Sequence, residues 1–109
     1  SFGLKPDGLY NDGVNIAAPR GSAVKASTDG VVAFVGSTLE SYGNLVLIRH
    51  DNDYMTAYAH LGSVGVRQGD IVKRGTVIGT IGSTGAVTGA QLHFEVRHQG
   101  KPLNPSKVI

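Results

Sequence analysis

Cysteine is absent from all 109 residues. That excludes a disulfide scaffold, thiol chemistry and any zinc site built on thiolates. It says nothing of the compartment. Long apolar runs are missing as well. No stretch approaches the ~18–20 residues of a membrane-spanning helix, and no membrane contact is expected of this domain. Charge is sparse and nearly balanced, ten Lys/Arg against eight Asp/Glu for a net +2. That is too weak and too scattered for a nucleic-acid surface. No window sustains a helical period either.

Glycine, by contrast, is abundant, with 16 residues, and β-branched residues fill the intervals between glycines. This pattern predicts many short strands and tight turns. Hydrophobic residues at 40% and charged ones at 17% are globular rather than disordered. The length suits one domain, residues 1–109. A start at Ser1-Phe2-Gly3 without Met reads as a fragment, the C-terminal part of a longer protein.

Strands are predicted at Val14–Ala17, Val24–Ala26, Val31–Gly36, Leu45–His50, Tyr54–Leu61, Ile71–Lys73, Val77–Ile81 and Leu92–His98. Turn residues separate them, as in Thr28-Asp29-Gly30, Asp51-Asn52-Asp53 and Gln68-Gly69-Asp70. Short connections favour antiparallel pairing. The expected fold is all-β, a compact, mainly antiparallel sheet or sandwich.

Period-two alternation assigns faces. In Tyr54–Leu61 it puts Met55, Ala57, Ala59 and Leu61 on the core face, and Tyr54, Thr56, Tyr58 and His60 on the polar one. In Gln91–Arg97 it puts Leu92, Phe94 and Val96 inward, and Gln91, His93, Glu95 and Arg97 outward. If the two strands are neighbours, His60 and His93 meet in a cleft floored by the sheet. His50 reads as a strand-end hydrogen-bonding residue, and His98 as solvated. Two histidines do not make a metal site, because catalytic zinc is usually held by three protein ligands. Gln91 and His93 project together ~7 Å apart, at ~3.3 Å per residue. Asn11 and Asn15 are neutral and poor zinc ligands, and Asp12 alternates to the opposite side.

The ordered segments Asn11-Asp12-Gly13-Val14-Asn15, Asp29-Gly30-Val31-Val32, Tyr42-Gly43-Asn44-Leu45-Val46, Tyr58-Ala59-His60-Leu61, Gly69-Asp70-Ile71-Val72, Gly82-Ser83-Thr84-Gly85 and Leu92-His93-Phe94-Glu95-Val96 carry a resemblance. Together they resemble the LytM, or lysostaphin-type peptidase, family over almost the whole chain. Active members are zinc endopeptidases of peptidoglycan. Their ligands come from His-x-Gly-x-Asp and from the second histidine of His-x-His. The resemblance implies that Asn11 and Asn15 stand where a ligand His and Asp would be, and that Gln91 replaces the first histidine of the closing pair. His93 is then the one retained ligand, and His60 the retained residue beside the metal-bound water. One imidazole with two amides does not supply the donor strength or charge that tight zinc binding requires. The chain therefore looks like the degenerate LytM domain of murein hydrolase activators of the NlpD, EnvC and DipM type.

That resemblance implies no catalytic activity, no metal and no cofactor. It implies binding and activation of N-acetylmuramoyl-L-alanine amidases during cell-wall remodelling and division, in the periplasm. The partner cleft is expected to be floored by Asn11, Asn15, Tyr58, His60, Gln91 and His93. Its expected walls are Ser37–Gly43 and Ser83–Ala90. Three other readings compete. One is a peptidoglycan-binding module without a partner enzyme. Another is an active zinc endopeptidase that recruits Asp12 or Glu95. The third is a biotinyl or lipoyl carrier built on the phrase around Lys73, which lacks the acceptor context of such domains.

Overall fold

A computed structural model describes residues 14–38, 41–84 and 89–98 in full, and the backbone of Gly3–Leu4, Tyr10–Asn11 and Lys101–Leu103. The strands are β1 (Gly3–Leu4), β2 (Tyr10–Asn11), β3 (Val14–Ala17), β4 (Ala23–Lys25), β5 (Gly30–Gly36), β6 (Asn44–Arg49), β7 (Tyr54–Val64), β8 (Ile71–Val72), β9 (Val77–Ile81), β10 (Gln91–His98) and β11 (Lys101–Leu103). A single 3-10 turn, Asp51–Asp53, joins β6 to β7. No α-helix occurs among the described residues, so the all-β expectation holds.

Every strand pairing is antiparallel. The main sheet runs β11-β10-β7-β6-β5-β8, with β3 also on β10 and β9 linking β4 to β7. Strand β10 is the pivot for function. Its first half is gripped on one side by β3, with His93 opposite Asn15, and on the other by β7, with His93 opposite Ala59.

The principal core holds Val24, Val32, Val46, Ile48, Tyr58, Leu61, Ile78, Ile81, Phe94 and Val96. A small second cluster, Leu45, Ala57 and Ala59, lies apart from it, with Phe34, Tyr42 and Leu47 packed against it. This arrangement corrects the face assignment of β7. Tyr58 is 1% exposed and sits in the main core, its ring 5.4 Å from that of Phe94. Directly paired residues share a face, and the register pairs Phe94 with Tyr58 and Glu95 with Ala57. Ala57 and Ala59 are therefore the residues on the face of Glu95 and His93. Alternation alone could not tell which set of β7 faced inward, because the buried set includes a tyrosine and a threonine.

The buried tyrosine is tolerated because its hydroxyl is fully engaged. It accepts from the Thr56 hydroxyl at 2.8 Å and from the Ser27 amide at 3.1 Å. His50 extends this chain. Its Nε2 lies 2.8 Å from Thr56 Oγ1, and its Nδ1 donates to the Asp29 carbonyl at 2.6 Å. His50 is thus a strand-end hydrogen-bonding residue. His98 is not simply solvated, since it stacks on Tyr54 with centroids 4.3 Å apart.

Near the site, β7 and the segment after β9 approach closely through glycines. A Cβ on Gly82 would lie 2.4 Å from the Gly62 nitrogen and 2.5 Å from its Cα. Both are backbone atoms and cannot swing aside. Gly82→Ala should therefore cost about 1–3 kcal/mol in urea unfolding, the usual scale for overpacking. Gly89→Ala, where a Cβ would meet no described atom within 4 Å, should stay within about 0.5 kcal/mol of the parent.

Candidate functional site

The site begins with a β-bulge. Between the pairs Val46–Tyr58 and Asn44–Leu61, β7 carries two residues, Ala59 and His60, against the single Leu45. The extra residue is accommodated at His60, whose φ is 65°. A left-handed conformation at a non-glycine residue is strained, and bulges re-aim side chains. In an unbroken strand His60 would follow Tyr58 into the core. The bulge turns it onto the opposite side, where its ring centroid lies 6.1 Å from that of His93. Alternation also resumes out of phase, so Leu61 returns to the core. The two histidines do meet, through this bulge rather than through the alternation expected of the strand.

Several hydrogen bonds fix the bulge. The Tyr42 carbonyl accepts from the His60 amide at 2.8 Å. The Leu61 carbonyl accepts from Asn44 Nδ2 at 2.9 Å and from the Thr84 hydroxyl at 2.8 Å. Thr84 also offers its own carbonyl to His60 Nδ1 at 2.8 Å. Burial lowers the His60 pKa below the ordinary histidine value. The Thr84 carbonyl opposes that shift, and the nearby His93 adds to it. The neutral form of His60 is accordingly favoured.

On β10, Glu95 is the centre. Its side chain is 1% exposed. Oε2 lies 2.7 Å from His93 Nε2 and accepts from the Tyr42 hydroxyl at 3.1 Å. Oε1 accepts from Arg97 Nε and Nη2 at 2.9 and 2.7 Å. Burial works against ionisation, but the bonds from His93 and Arg97 and the guanidinium charge outweigh it. The Glu95 pKa is therefore lowered. At the far side of His93, Nδ1 lies 2.6 Å from Asn15 Oδ1. A continuous chain Asn15–His93–Glu95–Arg97 thus runs from β3 along β10.

Of the expected cleft residues, the structure brings together Asn15, His60 and His93. Gln91 lies two residues before His93 on β10, and its backbone N–H donates to the Gly82 carbonyl at 3.0 Å. Asn11 is on β2, and its side chain is outside the described residues. Tyr58 is not on the cleft floor, because it lies in the core. Of the expected walls, residues 39–40 and 85–88 are outside the described residues, while Tyr42 and Thr84 flank the histidines as above. Tyr42 and Thr84 fall within the expected walls, whereas Arg97 was not expected at the site. The signal for Arg97 was available, since His93, Glu95 and Arg97 alternate on one face with complementary charge.

Zinc chemistry fits this donor set poorly. Among the described residues no group of three or more His, Asp or Glu side chains is arranged to hold a metal. Both nitrogens of His93 are engaged, by Asn15 and by Glu95. Asn15 offers a neutral amide where a carboxylate would be needed.

The sequence model of Peptidase family M23 matches residues 9–105. The cell division protein DipM of Caulobacter vibrioides is 45% identical over 115 residues, covering all of this chain and 19% of DipM. The murein hydrolase activator NlpD of Escherichia coli is 43% identical over 109 residues, covering all of this chain and 28% of NlpD. The DD-carboxypeptidase/endopeptidase Mpg of Neisseria gonorrhoeae is 50% identical over 96 residues, covering 88% of this chain and 22% of Mpg. The chain thus spans less than a third of the length of these curated relatives. Among solved structures, the catalytic domain of lysostaphin from Staphylococcus simulans superposes with a TM-score of 0.87 at 29% identity, covering 97% of this chain and 86% of that one.

Two outcomes are expected of the site. The lowered Glu95 pKa means that its ionised form stabilises the fold. That contribution is fully present above the unfolded value of 4.5 and is lost as pH falls from there through the folded value. Glu95→Gln should therefore lower stability at neutral pH by about 1–3 kcal/mol, and should flatten the acid limb of the stability curve below pH 4.5. Urea unfolding across pH reads both. Separately, Asn11→His, Asn15→Asp and Gln91→His together should raise zinc affinity in calorimetric titration. No gain over the parent would contradict the inferred ligand positions.

Proposed function

The chain belongs to Peptidase family M23, and from that premise we propose that it is a catalytically inactive LytM domain that binds and activates peptidoglycan amidases. The observation that carries this is the Asn15–His93–Glu95 chain. It combines an amide, an imidazole whose nitrogens are both engaged and a carboxylate already paired with Arg97, which supports a site that works without a metal. Without a metal-bound water, His60 alone supplies general-base help of at most ~10²–10⁴-fold, far short of peptide hydrolysis.

The likeness to DipM and NlpD supports a role in cell-wall remodelling and division, with murein hydrolases as the kind of partner. Within that role the proposed partner is an N-acetylmuramoyl-L-alanine amidase, engaged at the cleft around Asn15, His60, Gln91 and His93 in the periplasm. Binding to peptidoglycan itself is compatible with the same surface. The identity to Mpg, whose name is that of an enzyme, favours a second reading as an active endopeptidase. Metal content separates the two.

The domain alone should release no dye from dye-labelled peptidoglycan, and should increase release by an added amidase. Elemental analysis of protein purified without chelator should find far less than one zinc per chain, and near-stoichiometric zinc would favour the endopeptidase. Gln91→Glu with Asn15→Asp should weaken amidase binding while circular dichroism stays that of the parent. Lys73→Glu lies beyond β8, at the sheet edge opposite β10, and should leave binding unchanged.

A further inference from the structure

The His60 ring enters the cleft with its tautomer set. A carbonyl oxygen only accepts, so the bond to the Thr84 carbonyl places the ring proton on Nδ1 and leaves a lone pair on Nε2. That Nε2 has no hydrogen-bond partner among the described residues. No described side-chain nitrogen or oxygen is both sealed from solvent and unpartnered, so Nε2 opens onto the cleft. It is an acceptor held on a side chain that is otherwise buried, at 6% residue exposure.

The surroundings select what such an acceptor can take. Both His93 nitrogens and both Glu95 oxygens are already engaged. The Glu95 charge is matched by Arg97, so among the described residues of the cleft no spare negative charge draws a cation. Burying a charged donor there costs more than a single hydrogen bond returns. A neutral donor, an amide N–H, meets no such cost.

We propose that His60 Nε2 is a recognition atom of the cleft, accepting a hydrogen bond from a backbone amide N–H of the bound amidase. This inference rests on the amidase-binding reading above. It also gives the strained backbone at His60 a use, because the left-handed residue at the bulge carries the ring toward His93.

The test is amidase affinity of His60→Gly, measured by calorimetry. Glycine adopts the left-handed conformation freely, and removal of the ring leaves room for a small heterocycle. Affinity should fall about three- to tenfold, the scale of one neutral hydrogen bond. Added imidazole should restore it. Added pyrrole, which offers an N–H to the Thr84 carbonyl but no lone-pair nitrogen, should not. Restoration by both would mean that the ring only fills space, and would overturn the proposal. Should His60→Gly fail to fold, His60→Asn serves. Asparagine tolerates positive φ and can donate to Thr84, but it does not reach the Nε2 position. It too should bind about three- to tenfold more weakly, and parental affinity would overturn the proposal. Two further results keep this inference separate from the reading beneath it. If the parent domain binds no amidase, that reading fails and the proposal with it. If the cleft double variant loses binding while His60→Gly keeps it, the reading stands and the proposal falls. Loss of binding to purified sacculi with amidase affinity unchanged would also overturn it.

Discussion

The buried carboxylate of Glu95 is the constraint on which the site is built. A charge this deep must be paired and hydrogen-bonded, because an uncompensated one is strongly destabilising. The pairing fixes three things at once. Arg97 is drawn along β10 to Oε1, Tyr42 is held from the segment before β6, and His93 is oriented between Glu95 and Asn15. Alanines opposite Glu95 and His93 on β7 make this packing possible. Larger side chains there would occupy the space that the ion pair and the rings of Tyr42 and His93 now fill.

The other half of the site depends on a local violation of strand geometry. Composition and turn chemistry made the antiparallel all-β fold legible, since glycine and β-branched residues at short intervals leave few alternatives. The β10 face was legible for a similar reason: Leu92, Phe94 and Val96 form an unambiguous apolar set. The face of β7 was not. Tyr58 is amphipathic, and whether it points inward depends on partners for its hydroxyl, Ser27 and Thr56. Ser27 is 31 residues distant in sequence. The position of His60 was reached from the sequence for a reason the structure replaces. A period-two count puts Tyr58 and His60 on one side, whereas the bulge puts them on opposite sides of the sheet. Bulges have no strong sequence signature without glycine, and here a histidine takes the left-handed position.

Membership of a peptidase family and a donor set unsuited to zinc are compatible, because strand pairing and side-chain hydrogen bonds hold the strands of the site together. In a metal site the ion cross-links the strands that supply its ligands. In this chain the contact between Asn15 and His93 links β3 to β10 through a hydrogen bond. The pairing of β3 with β10 along Val14–Ala17 adds backbone bonds to that link. These bonds hold β3 and β10 together. This is consistent with a fold that superposes on a lysostaphin catalytic domain at 29% identity.

The same bookkeeping of donors and acceptors supports the proposed reading of the cleft as a recognition surface. Catalysis at a metal requires an open coordination position and an ionised donor set. In the described site the carboxylate is saturated, the His93 nitrogens are occupied, and the neutral form of His60, its donor committed to Thr84, is favoured. What remains open among the described groups is polar but uncharged: the rest of the Asn15 amide and one histidine lone pair. Uncharged groups with fixed directions lose little solvation on contact with a protein surface, yet penalise a partner that leaves them unpaired. Specificity then comes from matching those directions, and it needs neither a metal nor a net charge in the cleft.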